Sequence, residues 1–274
     1  MMAKQTTIGP ARGSLVIVGG GAQALPEILR RFIALAGGFS APIVIIPTAA
    51  EEEYPGPHAP HVADFMAAGA LNLQVLHTRD PEVANTDAFL APLQQAQGIW
   101  FGGGRHWRLA DAYLHTRAEA AFHALLQRGG VIGGTSAGAT IQGSFMVRGD
   151  TAGNQIMVGD HTTGFGFLRN VTIDQHHLKR NRHFDLVDVI AVRPELLGIG
   201  IDEDTAIVVT GDEFEVIGQS YVAIYDHGRM VSTRGHFYFL APGDRFDLQT
   251  RSVIPPPPKR GLAFDTVTQQ RWQS

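Results

Sequence analysis

Apolar positions in the first half of the chain come in short unbroken runs, not in alternation. Leu15-Val16-Ile17-Val18 runs into Gly19-Gly20-Gly21, and Ile43 to Ile46 into Pro47-Thr48. Leu73 to Leu76 follows. Ile99-Trp100-Phe101 ends in Gly102-Gly103-Gly104, and Val131-Ile132 leads into Gly133-Gly134-Thr135-Ser136. Such runs fit strands buried on both faces. Helical patterns lie between them, from about Leu25 to Ala36 and from Arg108 to Leu126. Strand alternating with helix predicts a parallel sheet. Ligands of such sheets sit beyond the carboxyl ends of the strands, and three of these five strands end in glycine-rich loops.

After Val147 the pattern changes. Ala206 to Val209, Glu215-Val216-Ile217 and Tyr221 to Tyr225 are short and β-rich, with turns at Gly211-Asp212 and Asp226-His227-Gly228. They predict antiparallel strands closing one edge of the sheet. The Pro255 to Pro258 run must be extended, because proline fixes φ and donates no hydrogen bond. The expected architecture is one three-layer α/β domain over residues 1–274, with a mostly parallel sheet, helices on both faces and extra antiparallel strands toward the C-terminus. Residues 1–12 are expected to form a flexible tail, and about 250–274 an extended strap.

Composition narrows the choices. With 274 residues, 44% hydrophobic and 18% charged, the chain can bury one large core. A formal net charge of -4 gives no overall pull toward nucleic acid, so any anion site must be local. The absence of cysteine excludes disulfides, thiolate metal ligands and a cysteine nucleophile. No apolar run reaches the roughly 20 residues that span a bilayer. Met1 to Gly13 lacks the apolar core of a secretory signal. No nucleic-acid or membrane partner is expected. The expected location is cytoplasmic, with secretion or periplasmic export from a processed precursor as the alternative.

The chemistry is concentrated in two stretches. Gly134-Thr135-Ser136-Ala137-Gly138 fits the G-x-S-x-G nucleophile elbow. A sharp strand-to-helix turn strains the serine backbone and needs tiny neighbours. It lifts Oγ above the sheet and aims the first helical N–H groups at the reacting carbonyl. A serine that merely caps a helix is the plainer alternative. The strand in front and the small residues around Ser136 favour the nucleophile. A serine nucleophile needs a base and a group to orient it. Asp174-Gln175-His176-His177-Leu178-Lys179-Arg180-Asn181-Arg182 packs one acid, one amide, two histidines and three cations into nine residues after the strand-spaced Val171 and Ile173. The run Asp202-Glu203-Asp204 ends a short apolar strand and can supply the orienting acid.

Other readings are weaker. The α/β-hydrolase order of serine, acid, histidine would join Ser136 to Asp202 or Glu203 and to His227 or His236, but neither histidine has a polar cluster around it. The order serine, histidine, glutamate is preferred. Gly19-Gly20-Gly21 lacks the G-x-G-x-x-G spacing of a nucleotide loop. His176, His177 and His183 cluster, as do His58 and His61, but in no recognised ligand spacing. No metal and no cofactor are expected.

Taken together, Gly19-Gly20-Gly21, Pro47-Thr48-Ala49, Phe101-Gly102-Gly103-Gly104, Gly134-Thr135-Ser136-Ala137-Gly138-Ala139, Asp174-Gln175-His176 and Gly198-Ile199-Gly200-Ile201-Asp202-Glu203 resemble one family in order and spacing. It is the cyanophycinase and dipeptidase E family of serine peptidases, related in fold to class I glutamine amidotransferase domains. The resemblance implies that Ser136 is the nucleophile, His176 the general base and Glu203 its orienting acid, with Asp150 the runner-up acid. It implies an oxyanion hole from the N–H of Ala137 and one of Gly103 or Gly104. Arg105, Asp174, Gln175, Arg180 and Arg182 are the implied substrate contacts. The implied reaction is hydrolysis of aspartyl bonds, β-linked as in cyanophycin, through an acyl-enzyme. An α-aspartyl dipeptidase, or a binding protein on the same fold, is the alternative. The implied partners are a small peptide or polyaspartate-type substrate and a second copy in a homodimer.

Two departures bear on the substrate. Family members carry glutamine in a Gly-Gly-Asp/Asn-Gln pattern, and Arg105 is matched to it here. A third pocket arginine, three residues beyond the second, is replaced by Asp185. The cleavage machinery is kept while the pocket charge is redistributed.

Overall fold

A computed structural model describes residues 8–52, 58–229 and 235–256. In chain order the elements are β1 (Ser14–Val18), α1 (Leu25–Leu35), β2 (Ile43–Ile46), α2 (Val62–Ala67), β3 (Leu73–Val75), α3 (Pro81–Ala84), α4 (Asp87–Gln95) and β4 (Gly98–Phe101). Next come α5 (His106–Tyr113), α6 (Arg117–Gln127), β5 (Val131–Thr135), α7 (Ala137–Thr140), β6 (Gly143–Phe145), β7 (Leu168–Gln175) and α8 (Asp185–Val192). The chain continues through β8 (Leu197–Ile201), β9 (Thr205–Thr210), β10 (Glu213–Gly218), β11 (Val222–Asp226), β12 (Tyr238–Leu240), β13 (Arg245–Asp247) and β14 (Ser252–Ile254).

Nine strands form the large sheet, ordered β14-β13-β10-β9-β1-β5-β4-β2-β3. Its β1-β5-β4-β2-β3 half is parallel, and β9, β10, β13 and β14 extend it antiparallel from the β1 edge. The unbroken apolar runs follow from burial on both faces. Leu15 and Ile17 enter the core shared with α4 to α6, whereas Val16 and Val18 pack with α1 and α2.

A second sheet, β12-β11-β8-β7-β6, stands apart from the first. Here the structure differs from the single-sheet expectation: Tyr221–Tyr225 does not close the large sheet, because β11 pairs with β8. Val171, Ile173, Leu197 and Ile199 of this small sheet share the core of the large one. Thr172 and Asp174 alternate to its other side, where α8 packs on β8 and β11.

The helical pattern from Arg108 to Leu126 is broken in two. His115 takes a left-handed φ of 64°, and the Thr116 hydroxyl accepts the Glu119 N–H, capping α6. Within the expected N-terminal tail, Ile8 exchanges backbone hydrogen bonds with Arg169 and the Gly9 N–H binds Asp212. Residues 1–7 lie outside the described residues. Of the expected C-terminal strap, Ser252–Ile254 pairs as a strand with β13, and residues 257–274 lie outside the described residues. No helix among the described residues is long and apolar enough to cross a membrane.

Candidate active site

The elbow at the end of β5 is built by close approach. A Cβ on Gly134 would lie 2.4 Å from the Gly138 carbonyl oxygen, and one on Gly138 would lie 2.1 Å from that of Phe101. Only glycine fits at both places, which explains their spacing around Ser136. Ser136 itself sits at φ 54°, ψ -108°. That is strained for a residue with a Cβ and costs about 1–3 kcal/mol. Its N–H donates to the Val18 carbonyl at 3.1 Å, which fixes the turn to the end of β1.

From this turn a chain of contacts runs across to the small sheet. Ser136 Oγ is 2.9 Å from His176 Nε2, and His176 Nδ1 is 2.7 Å from Glu203 Oε1. His176 follows the last residue of β7 and has a positive φ of 51°. Its N–H donates to the Gly19 carbonyl at 2.8 Å. Gly20, at φ 120°, lies under the imidazole, and a Cβ there would come within 2.3 Å of the ring. The glycine triplet after β1 therefore gives the histidine its space. Burial lowers the His176 pKa, Glu203 raises it and Arg180 and Arg182 lower it further, for a net fall below 6.5. The ring is neutral at physiological pH, as a proton acceptor must be.

The three carboxylates after β8 divide their work. Asp202 Oδ1 accepts the N–H groups of Leu178 and Lys179, and Oδ2 accepts the Ser220 hydroxyl. Asp204 Oδ1 accepts the N–H groups of Gln23 and Ala24 before α1. Glu203, between them, meets His176. Asp150, the runner-up acid, is placed elsewhere: its carboxylate accepts the N–H groups of Ala152 and Asp160 in its own loop. The alternative histidines are also elsewhere. His236 rests edge-on against Phe184, and His227 follows the last residue of β11. His177 is bonded to the Tyr225 hydroxyl and its ring lies over Gly200, so it does not join His176 and His183 as a ligand set.

Ala137 is the first residue of α7, so its N–H has no acceptor within the helix. Gly103, beyond β4, packs against Ser136, with its pro-Cβ position 3.4 Å from the serine Cβ. Ser136 opens into a cavity of about 310 Å³ whose wall includes Gly104, Arg105, Gln175 and Arg180. A second cleft of about 370 Å³, between Pro10, His123 and Phe167, shares no lining residue with it and holds no serine.

Asp174 and Arg182 lie behind this wall instead of in it. Asp174 is fully buried; Arg148 Nε donates to its Oδ1 at 2.8 Å and Arg148 Nη2 to its Oδ2 at 3.2 Å. Burial alone would raise this carboxyl, but its contacts with His177 and Arg148 overcome that and hold it at about 2. Arg182 is buried, and its Nη1 donates to the backbone carbonyl and side-chain Oε1 of Gln175. The reason is strand alternation: β7 turns Asp174 away from the cavity and Gln175 toward it. Sequence reasoning missed Glu51, His106, Arg108 and Asn154 in the wall. It also missed Arg148, whose only signal was a cation placed directly after the apolar Phe145-Met146-Val147.

The model of peptidase family S51 matches residues 15–217. The chain belongs to peptidase family S51. It is 34% identical over 266 residues to the cyanophycinase of Geminocystis herdmanii, covering 89% of this chain and 96% of that protein. It is 32% identical over 264 residues to the cyanophycinase of Trichormus variabilis, covering 88% of each. Among solved structures, a peptidase from an acI-B1 Actinobacterium superposes with a TM-score of 0.65 at 26% identity, covering 89% of this chain and 98% of that one. A putative peptidase E from Listeria monocytogenes superposes at 0.55 and 18% identity, over 77% of this chain and all of that one, and shows the fold alone. The S51 chain described here is thus a serine hydrolase of the peptidase class, similar to cyanophycinases.

Within S51 one register needs correction. Counted from Gly103-Gly104, a Gly-Gly-Asp/Asn-Gln pattern sets its acid or amide at Arg105 and its glutamine at His106. His106 is buried, with Nε2 2.8 Å from the Val147 carbonyl oxygen. Burial, its largest influence, lowers its pKa to about 4, so it stands in the wall as a neutral ring.

Proposed function

We propose that this S51 peptidase hydrolyses β-aspartyl peptide bonds through a Ser136-His176-Glu203 triad and an acyl-enzyme. The observation that carries the reading is the unbroken contact from Ser136 Oγ through His176 to Glu203, at 2.9 and 2.7 Å, on a strained elbow. Ser136 Oγ attacks the amide carbonyl carbon as its proton passes to His176 Nε2. Glu203 holds the Nδ1 proton in place and stabilises the imidazolium. The N–H of Ala137 and one from Gly103 or Gly104 receive the oxyanion, each donor being worth about 3 kcal/mol at such sites. The C–N bond breaks as His176 gives its proton to the leaving amine. Water, deprotonated by the same ring, then attacks the ester, releasing the acid and restoring Ser136. Arg180 meets the aspartate carboxylate, since a guanidinium fork matches a carboxylate.

A mass-spectrometric release assay tests this. Wild type and Ser136→Ala are incubated with cyanophycin, β-aspartyl dipeptides and α-aspartyl dipeptides. Turnover of β-linked substrates by wild type alone is the expected result. Turnover of α-linked substrates only would move the activity to an α-aspartyl dipeptidase, and turnover by Ser136→Ala would remove the serine from the mechanism.

A further inference from the structure

The charges around Ser136 do not suit an arginine-bearing substrate. Among the described residues, the cavity wall carries three guanidiniums, Arg105, Arg108 and Arg180, and one carboxylate, Glu51. Two of the cations have unpaired donors among the described residues. Arg105 binds the Asp150 carbonyl through Nη2, but its Nε is buried with no partner. The Arg180 guanidinium makes no hydrogen bond or ion pair among the described residues. The nearby acids are already occupied. Asp185 Oδ2 and both oxygens of Asp174 are held by Arg148, and Asp150 serves its own loop. The arginine position that became Asp185 therefore adds no free negative charge to the cavity, because Arg148 and Arg182 together balance Asp174 and Asp185.

We propose that this cavity selects aspartyl dipeptides whose second residue is acidic, with Arg105 and Arg108 as the specificity-determining residues. A β-aspartyl-glutamate molecule carries three carboxylates and one ammonium, the mirror image of three guanidiniums and one carboxylate. β-Aspartyl-arginine adds a cation where, among the described lining residues, Glu51 is the one carboxylate to meet it. The inference rests on the aspartyl-peptidase reading above. Binding to an inactive variant separates the two.

The test measures calorimetric affinities of Ser136→Ala for β-aspartyl-glutamate, β-aspartyl-glutamine and β-aspartyl-arginine, alongside kcat/KM of the wild type. Glutamate and glutamine differ in charge and hardly in shape. Glutamate is expected to bind about tenfold more tightly than either rival, as one charge-assisted contact implies. Arg105→Gln or Arg108→Gln in the Ser136→Ala background should shrink that ratio to about twofold. A glutamate preference below about threefold, or one that survives both substitutions, overturns the proposal. Preferential binding without any turnover by wild type would support this selection and count against the aspartyl-peptidase reading instead.

Discussion

The large sheet and the small sheet each bring part of the proposed triad, and they hold it by different means. Ser136 is placed by shape: apolar strands packed on both faces, and glycines where backbones touch. His176 and Glu203 are placed by charge and hydrogen bonds. Behind them Asp174, Arg148, Arg182, His177 and Tyr225 form a buried polar cluster. A nucleophile needs a fixed direction, which steric exclusion supplies. A base and its acid need a tuned electrostatic setting, which only polar partners supply. Perturbing either region should therefore fail differently.

The largest effect is expected at the nucleophile. Ser136→Ala should lower kcat/KM by about 10⁴–10⁶ while circular dichroism and melting temperature stay near wild type. Glu203→Gln should follow, with kcat down by about 10³–10⁴ and the fold unchanged. In the small sheet, Arg148→Ala strands the Asp174 carboxylate in the interior and should cost about 3–5 kcal/mol of stability. Urea denaturation reads this, and a loss below about 1 kcal/mol would mean that the pair is not buried as described. Gly20→Ala joins the two regions. It strains φ and presses on the His176 ring, so kcat should fall by about 10²-fold, with a smaller change in stability.

The smallest effects are in pH. The His176 pKa lies below 6.5, so kcat/KM should fall only as pH drops through that lowered value. An inflection above 6.5 would contradict the balance of burial over Glu203. Asp174 has a depressed carboxyl, so its stabilisation is complete above its ordinary 3.8 and drains away as pH falls toward about 2. Acid titration of the melting temperature reads that window, and Arg148→Met, which raises the folded-state carboxyl toward its ordinary value, should shrink the loss across it.

The two regions also differed in how plainly the sequence announced them. Ile43–Ile46 and the elbow around Ser136 were legible because a doubly buried strand and a crowded turn leave few residue choices. The antiparallel character of Tyr221–Tyr225 was legible too, but its sheet was not. Pairing β11 with β8 is a long-range choice that local pattern does not encode. Asp174 and Gln175 looked equivalent in a polar run, yet alternation along β7 sends one into the ion cluster and the other to the cavity. Arg148 was invisible for a related reason: its partners Asp174 and Asp185 lie 26 and 37 residues away. The glycine triplet at Gly19 to Gly21 was visible, but its purpose became clear only with the His176 ring above Gly20.

The proposed reaction requires a covalent intermediate on Ser136. Rapid-quench mass spectrometry of the protein with a β-aspartyl anilide tests it most directly. The expected result is a transient β-aspartyl adduct that maps to the peptide containing Ser136 and is absent in Ser136→Ala. Multiple turnovers with no adduct at any quench time, or an adduct on another residue, would contradict it.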